Sequence, residues 1–71
     1  MTLVRYWIIV GKGQDGSVSY LGQKHRQGEW HWEWRRLRTR ATQFEDKQTA
    51  LAMAKDVRRR WKVPARIEAV T

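Results

Sequence analysis

The stretch Glu29-Trp-His-Trp-Glu-Trp-Arg-Arg-Leu-Arg-Thr-Arg40 is where residue type and spacing suggest chemistry most directly. Three tryptophans at every second position run into arginines at every second position. Side chains on a β-strand alternate between faces, so Trp30, Trp32 and Trp34 share one face, and Arg36, Arg38 and Arg40 continue it if no bulge intervenes. A ribbon that is aromatic at one end and cationic at the other suits a polyanion carrying flat rings. That chemistry points to nucleic acid, or to a protein complex that handles it. Glu29, His31 and Glu33 would share the other face as a conceivable metal trio. A metal there would need a further ligand, and the second histidine, His25, has no carboxylate nearby in sequence. Cross-strand salt bridges that temper the positive field are the simpler reading, and no metal or cofactor is expected.

The 71 residues carry 15 Lys and Arg against 7 Asp and Glu, a formal net charge of +8. Most of the cations are arginines, whose guanidinium forks onto phosphates and stacks on bases. Such a field draws anions over a Debye length of about 8–10 Å, so affinity for nucleic acid is expected. The residues expected to bind nucleic acid or a partner are Lys24, Arg26, Arg35, Arg36, Arg38 and Arg40 with Arg59 of a helical Arg58–Arg60 run. Trp7 and Trp34 are the candidates for base stacking, worth about 1–3 kcal/mol per base in single-strand binders. With about five phosphates gripped, log affinity would fall against log salt with a slope near −4.5 on duplex DNA.

The tryptophans also admit a structural reading. A chain this short buries only about 60% of the surface that its unfolded form exposes, and a Trp can bury roughly 150–250 Å². If Trp30, Trp32 and Trp34 are core, the open face carries Glu29, His31, Glu33 and Arg35, a mixed surface and a poor site for a polyanion.

Other classes find little support. The absence of cysteine excludes disulfides and thiolate metal sites and suits a reducing cytoplasm. The longest apolar run, Tyr6 to Val10, is too short to span a bilayer, and the first residues lack the features of a signal peptide. A soluble, cytoplasmic protein, monomeric or homodimeric, is expected. No Ser or Cys nucleophile stands at a recognisable spacing from a base, and the glycine-rich Gly11–Gly16 joins two strands rather than leading into a helix, so an enzyme is not expected.

The elements that must position these groups form one small domain, 1–71. Residues 3–10 are apolar at nearly every position and predict a central strand, with Val4, Tyr6, Ile8 and Val10 as its cleaner apolar row. Gly11-Lys-Gly-Gln-Asp-Gly16 predicts a hairpin turn with positive φ, and strand two follows from about Ser17 to Leu21. Gly22–Gly28 reads as a loop carrying Lys24 and Arg26 at an exposed tip, and strand three starts near Glu29. Trp34 and Leu37 differ in parity, so a bulge near Arg35 and Arg36 is needed if both point inward. Asp46 is the expected N-cap of a helix whose Ala50, Met53, Ala54, Val57 and Trp61 share a face. Pro64 ends that region, and Ala65–Val70 alternate as a last strand with Ile67 and Ala69 inward. The expected fold is α+β: a small antiparallel sheet, β-β-β-α-β along the chain, with one helix packed on one face.

Tyr20-Leu21-Gly22 and Ala41-Thr-Gln-Phe-Glu-Asp-Lys-Gln-Thr-Ala-Leu-Ala-Met-Ala54 resemble pieces of the three-strand-plus-helix DNA-binding domains of plant ethylene-response factors and of integrase arm-binding domains. In those families the strand ending in Tyr-Leu-Gly leads almost directly to the helix, and the sheet enters the major groove. Here a whole Trp-rich strand separates the two pieces, and a C-terminal strand is added. In size, charge and strand-helix order the chain also looks like small accessory proteins of phages and prophages. These include anti-CRISPR proteins, which bind a nuclease complex or its guide and DNA channel. The resemblances imply a noncatalytic nucleic-acid-binding module or, alternatively, a protein inhibitor docking on a nucleic-acid-handling complex. A self-associating protein using exposed sheet edges is a third possibility.

Overall fold

The structure is a computed structural model that describes residues 3–71. In chain order it contains β1 (Tyr6–Lys12), β2 (Val18–Arg26), β3 (Glu29–Arg35), a 3-10 turn (Arg38–Arg40), α1 (Lys47–Trp61) and β4 (Ala65–Val70). The strands form one antiparallel sheet in the order β3-β2-β1-β4, so the fold is α+β with one helix on the sheet. β1 is central, as its apolar density predicts. The Gly11–Gly16 turn closes with Gly13 N–H donating to the Ser17 carbonyl, Ser17 N–H donating to Asp15 Oδ1, and Gly16 at φ 86°. Among the described residues, no helix is long and apolar enough to cross a membrane.

β2 differs from its sequence reading. It does not stop at Leu21 but runs to Arg26, and seven consecutive residues pair with β3 from Tyr20↔Arg35 to Arg26↔Glu29. Gln27 (φ 52°) and Gly28 (φ 79°) form the connecting turn, whose left-handed residues match the twist of the flanking strands. Lys24 and Arg26 are therefore strand residues, not the tip of a loop. The polar composition of residues 22–26 misleads because every residue from Gln23 to His31 is exposed: here the strands form a ribbon projecting beyond the helix. Ladder hydrogen bonds, not burial, hold that ribbon extended.

α1 follows its periodicity. Ala50, Ala54 and Val57 are buried against the sheet, Met53 packs beside them, and Lys62 ends the helix in the left-handed region at φ 52°. Asp46 caps the start, accepting from the Thr49 backbone N–H at 3.2 Å and its hydroxyl at 2.9 Å. The Thr49 hydroxyl and then its N–H hold the Asp46 carboxyl below its ordinary value. Because the folded value is depressed, this contribution is complete above about pH 4 and is lost as pH falls through the folded value. Asp46→Ala should therefore lower the thermal midpoint at neutral pH. The difference from the parent chain should close in melts run in strong acid.

The sheet is covered on both faces. On the helix side, Ile9 and Leu21 pack with Ala54, Val57 and Ala65, joined by Trp32, Trp34, Phe44, Met53, Val63 and Ile67. On the opposite face Ile8 and Val10 are only 1% and 4% exposed, although no helix lies there. The 3-10 turn partly covers this face: the Arg40 carbonyl oxygen lies over Gly22, and Arg38 reaches Glu68 at 2.6 Å. From there the chain returns to the helix side between β1 and β2, which pair over only three positions, Val10–Lys12 with Val18–Tyr20. Thr42 N–H donates to the Leu21 carbonyl at 2.9 Å, while Phe44 and Trp7 exchange both backbone hydrogen bonds at 2.7 and 2.8 Å. Residues 42–44 thus fill the gap where β1 and β2 part. Phe44 emerges on the helix side in parallel contact with Trp32, ring centroids 6.4 Å apart.

Candidate functional site

Strand pairing decides which candidate residues meet. Leu21 faces Trp34, Gln23 faces Trp32 and His25 faces Trp30, so the tryptophan row lies on the helix side. Trp34 reaches across the sheet to Gly11, where a Cβ would come within 2.6 Å of its ring, and it meets Trp61 edge-on at 6.1 Å. Trp32 is half-buried against Phe44. Trp34 is therefore a packing residue rather than the stacking platform expected from sequence. Trp7 also faces the helix side, with Lys47 Nζ 5.2 Å from its ring centroid, and is not on the open face. Only Trp30 remains widely exposed, at 67%, with His25 tilted against it at 5.0 Å.

The arginines do not extend the tryptophan row. β3 ends at Arg35, the chain turns through Arg38–Arg40, and no bulge is formed. Leu37 is 61% exposed, so the inward-pointing Leu37 that would have required a bulge is absent. Two of the guanidinium groups are engaged internally: Arg35 with Glu33 at 2.6 Å and Arg38 with Glu68 at 2.6 Å. The expected single extended array of Arg36, Arg38 and Arg40 is thus replaced by a turn folded onto the open face. Arg59 lies exposed on α1, on the other side of the sheet, and does not join this group. Arg58, its neighbour, donates to the Ala65 carbonyl at 2.8 Å.

The open face of the β2–β3 ribbon is therefore the mixed surface expected when the tryptophans are core, Glu29, His31, Glu33 and Arg35 of β3, to which β2 adds the cations Lys24 and Arg26. Lys24 and Arg26 alternate with the helix-side His25, so both point to the face opposite Trp30. With His31, Trp32 and Glu33 they line a shallow cavity of about 290 Å³. Arg35 and the backbone of Arg40 adjoin this surface at Gly22, and the side chains of Arg36 and Arg40 are exposed. Among the described residues, Lys24, Arg26, Arg36 and Arg40 form no ion pair, whereas Glu33 and Glu68 on this face are engaged by Arg35 and Arg38. Glu29 lies 3.6 Å from His31. Among the described residues, no three His, Cys, Asp or Glu side chains converge as a metal site. Sequence reasoning named Lys24 and Arg26 but placed them on a loop; the Gln27-Gly28 turn following Lys-His-Arg was the available signal for a longer hairpin.

Comparison with protein-family models, with curated proteins and with solved structures found no match to this chain. The two pieces resembling DNA-binding domains are arranged differently here. Tyr20–Gly22 lies inside β2, and the whole of β3 and the 3-10 turn stand between it and the helix.

Proposed function

We propose that this protein is a noncatalytic nucleic-acid-binding module that grips the phosphate backbone with the open face of its β2–β3 ribbon. The supporting observation is the pairing state of the cations: Lys24 and Arg26 on the ribbon's open face, and the exposed Arg36 and Arg40 that follow β3, are without ion-pair partners among the described residues, while Glu33 on that face is engaged by Arg35. Lys24 and Arg26 stand two residues apart on a strand, about 6.8 Å along the chain, a spacing suited to successive phosphates. Phosphate contacts of this kind position a protein without reading sequence, so affinity rather than base specificity is the expected output. Trp30 has no part in this grip, because it lies on the face opposite Lys24 and Arg26.

Four phosphate contacts give a salt slope near −3.6 on duplex DNA, measurable by fluorescence anisotropy across a salt titration. Lys24→Gln with Arg26→Gln should reduce the magnitude of that slope by about 1.8. Lys55→Gln with Arg59→Gln, on the helix, should leave it close to that of the parent chain. Equal losses from both pairs would show that the field of the whole molecule, not the ribbon, does the binding. A flat salt response together with binding to a purified nuclease complex would replace this reading with a protein inhibitor of anti-CRISPR type.

A further inference from the structure

We propose that β3 is the seam of a two-fold symmetric homodimer, pairing antiparallel with β3 of a second copy about Trp32. The inference is independent of nucleic-acid binding and starts from an edge strand protected by its charged side chains alone. Edge strands are commonly blunted by lysine, proline or a bulge. Glu29–Arg35 contains no lysine or proline and runs in unbroken register with β2, leaving its outer edge unpaired.

The order of residues on that edge is self-complementary. Antiparallel pairing centred on Trp32 sets Glu29 opposite Arg35, Trp30 opposite Trp34, His31 opposite Glu33, and Trp32 opposite its own copy. Every carboxylate meets a nitrogen donor, and every tryptophan meets a tryptophan. Shifting the centre to His31 places Glu29 against Glu33, and shifting it to Glu33 sets that carboxylate against itself. Both shifts also shorten the overlap. Opposite charges and aromatic pairs directly across strands are the pairings that stabilise sheets, whereas like charges there oppose pairing.

The rest of the fold permits this arrangement. A two-fold axis perpendicular to the sheet keeps both helices on one side, and the buried face of α1 is centred over β1 and β4, away from the seam. It also gives the most exposed tryptophan a further partner, since Trp30 gains the second copy's Trp34 as a cross-strand neighbour. β4, the other edge, is shorter, and on β3 the dimer exchanges the intrachain Arg35–Glu33 and His31–Glu29 pairs for Arg35–Glu29 and His31–Glu33 pairs between copies. An isologous β3 contact closes at two copies, whereas pairing β3 with β4 would propagate.

The test is sedimentation velocity without nucleic acid, over the micromolar range. The parent chain should sediment at twice the mass of the 8.5 kDa monomer. Glu29→Arg and Arg35→Glu each set like charges together at two places in the dimer. Each should weaken self-association by at least about tenfold while circular dichroism remains that of a folded chain. Mixing the two variants should restore the dimer, because each then supplies the charge that the other lacks. Trp30→Glu, at a position exposed in the monomer, supplies an independent disruption should Arg35→Glu fail to fold. A parent chain monomeric throughout, an open-ended series of sizes, or single variants that associate as the parent does would overturn the proposal.

Discussion

Leu21→Ala is expected to destabilise the fold by about 3 kcal/mol and to lower its thermal midpoint by about 12–24 °C. Leu21 is fully buried, and it sits where β2 leaves β1 and turns to β3. Its side chain packs with Ile9, Ala54 and Val57, and its backbone carbonyl receives the Thr42 N–H. A domain of this length has a total stability of about 4–11 kcal/mol, so one truncation removes a large share. The neighbours cannot easily close the void, because they come from β1 and α1, which are fixed by their own pairing and capping. Leu37→Ala is the matched control: 61% exposed, it should change stability by no more than about 0.5 kcal/mol. Thermal melts of the two variants separate buried from exposed leucine directly. A Leu21→Ala midpoint within a few degrees of the parent chain would mean that the core is not centred there.

Gly22→Val should also destabilise, by about 3 kcal/mol, although strand propensity alone points the other way. Valine is among the best strand formers, and position 22 lies within a strand. The deciding quantity is the space above it: a Cβ at Gly22 would lie 2.7 Å from the Arg40 backbone oxygen and 2.7 Å from Arg35 Cγ. The arginine side chain can swing aside. The carbonyl cannot, because Arg40 N–H is tied to the Leu37 carbonyl and Thr42 N–H to the Leu21 carbonyl on either side of it. Valine would therefore lift the 3-10 turn from the open face, uncover Ile8 and strain the Arg38–Glu68 pair. Hydrogen exchange at Thr42 should accelerate together with the loss of stability. An unchanged melting curve with a protected Thr42 amide would show that the turn can move without cost.

These two neighbours also show what the sequence reveals and what it conceals. The helix, its Asp46 cap and its small-residue face were legible, because capping and a 3.6-residue period act within a few positions of each other. β1 and β4 were legible as apolar or alternating runs. The length of β2 was not, since residues 22–26 are polar on both faces and are held extended by β3, a partner that composition does not announce. The direction of the arginines was concealed for the same kind of reason. Alternation predicts a face only while a strand lasts, and β3 stops at Arg35 because the chain must turn back to cover Ile8 and Val10. Of the candidate site, Lys24 and Arg26 were named by charge alone. Setting aside Arg35, Arg38, Trp7 and Trp34 required the ion pairs and ring contacts that only tertiary structure supplies.

The passage of residues 42–44 between β1 and β2 has a mechanical consequence. The sheet is two plates, β1 with β4 under the helix and β2 with β3 in the ribbon, and they touch directly along three positions only. The inserted segment acts as a gusset that sets the angle between the plates. Adding or removing one residue there should tilt the ribbon that carries Lys24 and Arg26 relative to the helical plate without altering a single side chain on either. Loop length at this point thus governs the direction in which Lys24 and Arg26 face.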